Sequence, residues 1–304
     1  MINQKLSTLI QVVAATALVN TVINVQPTNA AVLTTFEATT SQNGTYYNQF
    51  GNNDDNGSVT VYNQTFNGNN ASITVGNQNY SSGSPTINGV TNNYQWIDNG
   101  KLIGTYDQIS VRTADSYGGA IDPSSNGGSS NYLTVDPNSS LGGLIQTTLT
   151  FEEDQKYFGM WWSAGDTKNR LAFYDGDNNM VGNFDSNLLT QTIQQMPVAT
   201  QDLYKGNPLT SPNQNTGEYY AYVNFFTTGT STIRKVVFSN VVSTGFESDN
   251  HSVATSYNSI RGVSAVPEPL TVLGALTAIA FGVAFKHYAE KVTANSEFES
   301  NAAI

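Results

Sequence analysis

The 304-residue chain has no cysteine. That excludes a disulfide framework and any zinc–thiolate site. Charge is also scarce: charged residues make up 12%, and 12 Lys and Arg stand against 23 Asp and Glu, a net charge of -11. With no basic cluster to neutralise phosphates, a nucleic-acid partner is excluded. Histidine is nearly absent, with only His251 and His287, and His287 lies beyond an apolar run near the C-terminus. His251, alone in the central region, is expected on the surface of the last strand, so a Ser-His-Asp hydrolase lacks its base. No GxSxG elbow, phosphate-binding glycine loop or HExxH occurs either.

What is present is aromatic and amide-rich. Low charge with low hydrophobicity suits disorder, but disordered chains are poor in aromatics, and this one has 16 Tyr, 14 Phe and 3 Trp. A folded domain with long polar loops reconciles the two.

Both ends differ from the middle. Residues 1–30 begin with Lys5, run through an apolar stretch and close on a small residue, Ala30. This reads as a secretory signal helix, with an amphipathic N-terminal helix as the alternative. Residues 270–285 form an uncharged run of about 24 Å as a helix, flanked by Lys286, His287 and Lys291. It reads as a C-terminal transmembrane helix, against the alternative of a buried helix of the domain. The resulting organisation is a signal peptide at 1–30, a β domain at 31–262, a membrane segment at 263–291 and an acidic polar tail at 292–304.

Between these ends the pattern is short alternation of apolar and polar residues with turn signals every 8 to 12 residues, predicting an all-β antiparallel sandwich or jelly roll. Strands are expected at 31–37, 44–50, 57–64, 70–76, 94–97, 108–113, 132–135, 144–152, 156–162, 170–176, 179–184, 218–227 and 232–240, with a closing strand within 245–257. Asp98-Asn99-Gly100 and the segment 175–178 are turn sequences. Long loops are expected at 76–93, 114–131 and 202–217, and Pro197 should end one short helix at 187–196.

Val266-Pro267-Glu268-Pro269, the apolar run after it and the basic residues that follow resemble the PEP-CTERM sorting signal in its cyanobacterial form. The resemblance implies export through the Sec translocon, recognition of Pro267, Glu268 and Pro269 by an exosortase, and membrane contact through residues 270–285. The central domain, on residues 157–177, 222–226 and 246–250, resembles jelly-roll domains of exosortase-dependent surface proteins, akin to carbohydrate-binding modules. That likeness names no ligand.

Three chemistries remain for the domain. Trp161 and Trp162, adjacent in a strand, should face opposite ways. One should enter the core, while the other either packs under a loop or offers a sugar-binding platform beside Asp166, Asn169 and Tyr174. Asp175, Asp177 and Asn178, completed by Glu247 and Asp249, supply hard oxygen ligands that suit Ca2+. Glycoside hydrolysis would need two carboxyl groups flanking a bond, but Glu152-Glu153-Asp154 reads better as a solvated turn. The expectation is an exported cell-surface or extracellular-matrix protein without catalytic activity. The alternatives are a calcium-dependent carbohydrate-binding module and a polysaccharide-acting enzyme.

Overall fold

A computed structural model describes residues 32–38, 59–66, 71–75, 78–113, 131–140, 143–205, 217–240, 245–260 and 262–265. The signal segment 1–30, the expected strand at 44–50, the loop 114–130 and everything from Val266 onward lie outside the described residues. Among the described residues no helix is long and apolar enough to cross a membrane.

The described residues are mostly β, consistent with an all-β domain, and their ladders are antiparallel. The strands are β1 (Val32–Glu37), β2 (Tyr62–Gln64), β3 (Ala71–Val75), β4 (Gln78–Ser82), β5 (Gly89–Asp98), β6 (Lys101–Thr113), β7 (Asn131–Thr134) and β8 (Gln146–Gln155). They continue as β9 (Tyr157–Gly165), β10 (Asn169–Tyr174), β11 (Met180–Asp185), β12 (Tyr219–Thr227), β13 (Ile233–Asn240), β14 (Glu247–Ala254) and β15 (Val263–Ser264). Two short helices, α1 (Ser186–Gln194) and α2 (Val198–Gln201), follow β11.

One sheet runs β11-β10-β13-β8-β6-β7-β14-β9-β12-β1-β15, with β2 added to β14 and β5 to β6, while β3 and β4 form a separate hairpin. The sheet curls at β6. Gly104, Thr105 and Tyr106 pair with β8, whereas Ser110 to Thr113 pair with β7, so one strand belongs to both halves. The halves then face each other across an aromatic core: Phe173 lies 4.7 Å from Phe225, Phe184 5.4 Å from Phe225, and Phe158 6.0 Å from Phe238. Each such ring taken from water contributes about 1.5–3 kcal/mol. Where the curl closes, β11 presses on β1 so tightly that a Cβ on Gly182 would lie 2.6 Å from the Val32 Cβ. Only glycine permits that approach.

Local chemistry explains the turns. Asn99 and Gly100, with φ of 49° and 72°, close a two-residue β5–β6 hairpin, as two residues at positive φ do best. Helix α1 starts at Asp185, whose carboxylate accepts from the Asn187 N–H at 2.8 Å, and it buries Leu189 and Ile193, one turn apart. Pro197 lies just beyond its end and opens α2.

The structure departs from the pattern-based expectations in two places near this frame. The stretch 76–93 is not one long loop, since β4 and the start of β5 occupy it, and β5 pairs as far as Gly89 with Val111. Its Asn-rich composition hid a ladder made by backbone groups alone. Glu152, Glu153 and Asp154 are not in a turn but inside β8, whose ladder reaches Gln155 opposite Ile233. Their side chains remain solvated, with Glu153 2.7 Å from Lys101 and Asp154 3.8 Å from Arg234.

Candidate functional site

The densest polar chemistry lies on β14, and every residue of this strand is buried. Pairing explains how six consecutive polar residues can sit there. One edge of β14 bonds β9, and the other bonds β7 and then β2, so its backbone groups are satisfied on both sides. Between Asp249 and Ser252 the strand carries one residue more than its partner, with Asn250 at φ 47°. Residues three apart in a regular strand face opposite sides; the bulge shifts the phase, so Ser248 and His251 share the inner face.

His251 is therefore not on the surface, as expected from its place in the last long strand. It sits among Phe66, Phe158 and Phe238, stacked on Phe238 at 5.1 Å. Nδ1 is 2.8 Å from the Tyr106 hydroxyl and Nε2 is 3.0 Å from Ser248 Oγ. Burial pushes its pKa from 6.5 down to about 3. With both ring nitrogens bonded inside an aromatic cage, His251 is a neutral structural imidazole.

Trp161 and Trp162 face opposite ways, and both are buried. Trp162 enters the main core, its indole N–H donating to Asn169 Oδ1 at 2.7 Å. Trp161 packs with Ala164, Tyr220 and Tyr222 on the outer face of the β9–β12–β14 layer. Beside it Tyr157 donates to Asn224 Oδ1 at 2.8 Å, Tyr222 to Ser252 Oγ at 2.8 Å, and Ser252 to Asn63 Oδ1 at 2.7 Å. Burial raises the pKa of Tyr157 and of Tyr222, so both stay protonated donors.

An acidic rim borders this layer. Glu247, 3% exposed, is held well above the usual carboxylate range, first by burial and then by Asp166, Glu218 and Asp136. Glu218 is raised as well, by burial and by Asp166. Asp166 itself accepts from the Lys168 N–H at 2.6 Å in the β9–β10 turn. A carboxyl whose pKa is raised keeps its proton to higher pH, and while protonated it can donate a hydrogen bond or a proton. The sequence pattern points to Asp166 and Glu247 as carboxylates that come together, but not to Glu218 and Asp136, because only the packing brings these four segments together.

The remaining candidates lie elsewhere. Asn169, at the start of β10, donates to the Gly245 carbonyl at 3.1 Å beside Glu247. Tyr174, Asp175, Asp177 and Asn178 lie at the other end of β10, about 20 Å away at strand rise. There Asp175 accepts from the Asn179 side-chain amide at 3.1 Å, the Asn179 N–H at 2.8 Å and the Asp177 N–H at 3.0 Å, which lower its pKa in that order. Lys235 lies 4.2 Å over the Tyr174 ring and donates to Asn178 Oδ1. The five proposed calcium ligands are thus divided between the β10–β11 turn and the buried strand β14. Among the described residues no group of three or more His, Asp or Glu side chains is arranged to hold a metal ion.

No family model matches the sequence, and no curated protein or solved structure matches it.

Proposed function

We propose that this chain is an exported surface or extracellular-matrix protein, delivered by the Sec translocon, sorted by an exosortase at Val266-Pro267-Glu268-Pro269, and carrying a jelly-roll-like β domain with no catalytic role. The observation that carries the reading is the order of segments along the chain at the C-terminal side of the β domain. Strand β15 pairs with β1, the Ala265 N–H donates to the Thr34 carbonyl at 3.0 Å, and the next residue is Val266, the first of the motif. A β domain followed in sequence by a proline-flanked motif and an apolar run has the layout of a folded cargo with a separable address. The test is to follow the full chain in cells with an exosortase. Wild type should reach the envelope or medium with the tail processed, and Pro267→Ala with Glu268→Ala should accumulate uncut. A wild-type chain that stays in the cytoplasm at full mass refutes the reading.

One observation favours a second reading, a polysaccharide-acting enzyme: Glu247 and Glu218 are raised carboxyls beside Asp166 at the edge of an aromatic layer. Release of soluble sugar from envelope polysaccharides that disappears in Glu218→Gln would establish it. Retention on those polysaccharides without release, lost on chelation of Ca2+, would instead identify a carbohydrate-binding module.

A further inference from the structure

Large apolar side chains left exposed are concentrated on one flank of the domain. Among the described residues they are Leu188, Val198, Leu203, Ile260 and Val263 on this flank, against Ile87, Ile145 and Met180 elsewhere. The flank is built by α1, α2, the 3-10 turn Asp202–Tyr204 and β15, with α1 continuing from the end of β11 opposite Met180. Several contacts hold it together. The Thr192 hydroxyl lies 2.8 Å from both the Leu188 carbonyl and the Ala265 carbonyl. Gln201 donates to the Gln194 carbonyl at 3.0 Å and the Met196 carbonyl at 2.8 Å, tying α2 to α1. The Tyr204 ring meets Phe36 of β1 at 5.4 Å.

The same flank leads in sequence to the Val266-Pro267-Glu268-Pro269 motif. Ala265 is buried and bonded through both of its backbone groups, to Thr34 and to Thr192. Only Val266, Pro267, Glu268 and Pro269 separate it from the apolar run that starts at Leu270. Five residues span at most about 17 Å, less than the thickness of a small domain. If that run is in a bilayer, this flank cannot stand far from the lipid surface.

We propose that the α1–α2–β15 flank docks on the bilayer surface, with Val198 and Leu203 in the interfacial layer, while residues 270–285 cross it. The inference rests on the tethered reading above and adds the orientation of the domain. The occupant is a lipid surface because the apolar run enters lipid at this point. The net charge of -11 disfavours attraction to anionic headgroups, so the proposed contact is apolar insertion.

The absence of cysteine makes the test direct. Full-length chains carrying Val198→Cys, Leu203→Cys or Met180→Cys are labelled with an environment-sensitive fluorophore and reconstituted into phosphatidylcholine vesicles with chain-brominated lipid. These sites are comparably exposed in the fold, at 70%, 58% and 60%. Docking predicts quenching at 198 and 203, unchanged in molar salt, with little at 180. Chains that float with the vesicles but show equal quenching, or none, at all three sites overturn the docking and leave the tether standing. A blue shift at 198 and 203 without quenching by brominated lipid also overturns it, in favour of a protein partner or second copy. Chains that do not float remove the tether and the docking together.

Discussion

Lowering the pH from 7 to 4 should remove about 3 kcal/mol of stability through His251 alone. The folded imidazole has a pKa of about 3 and the unfolded one 6.5. The folded value is depressed, so the contribution is fully present above pH 6.5 and is lost as pH falls toward 3. Half a dozen tenfold steps are not needed: two and a half pH units below the unfolded pKa, at 1.36 kcal/mol each, make up the figure of about 3 kcal/mol at pH 4. Against a typical total of 5–15 kcal/mol this is a large share. Urea unfolding at pH 7, 5 and 4 measures it, and His251→Gln isolates it. Glutamine keeps a donor and an acceptor for Tyr106 and Ser248 but cannot charge, so the variant should start about 1–3 kcal/mol weaker at pH 7 and lose much less on acidification. NMR supplies the direct check, because His287 is the only other histidine. An imidazole of His251 that protonates near pH 6 in the folded protein, or a His251→Gln protein that loses as much as wild type by pH 4, would refute the reasoning.

Glu247 runs the other way. Its folded pKa is raised above 4.5, so its contribution is full below pH 4.5 and lost as pH climbs through the folded value; Glu247→Gln should flatten the decline of Tm as pH rises above 4.5. Gly165→Ala would place a Cβ 2.1 Å from two carbons of the Trp162 indole, and should cost about 1–3 kcal/mol with a changed near-ultraviolet circular dichroism. Asn169→Ala removes the acceptor of the buried Trp162 N–H and the bond to Gly245, an expected loss of about 2–4 kcal/mol in urea unfolding. Lys101→Ala breaks an ion pair whose partners are 38% and 53% exposed, and should change stability by no more than about 0.5 kcal/mol.

The sequence by itself determined the features that depend on neighbours along the chain. Period-two alternation and turn chemistry place β10 and β11 around Asp175–Gly176–Asp177–Asn178, the β5–β6 hairpin at Asn99–Gly100, and the helix before Pro197. Continuous apolar runs likewise mark β9 and β12, which are buried on both faces. They also determined that Trp161 and Trp162 would part, because adjacent strand residues must. Only the tertiary structure decided that β14, polar in all of its first six residues, lies at the centre. Its burial is sustained by groups far away in sequence: Tyr106, 145 residues from His251, and Asn63, 189 residues from Ser252. A buried polar residue costs free energy unless a partner meets it, and a partner that distant leaves no local signature. The same holds for the acidic rim, where Asp136, Asp166, Glu218 and Glu247 come from four separate segments, and the raised carboxyls of Glu218 and Glu247 exist only because the fold buries them beside like charges.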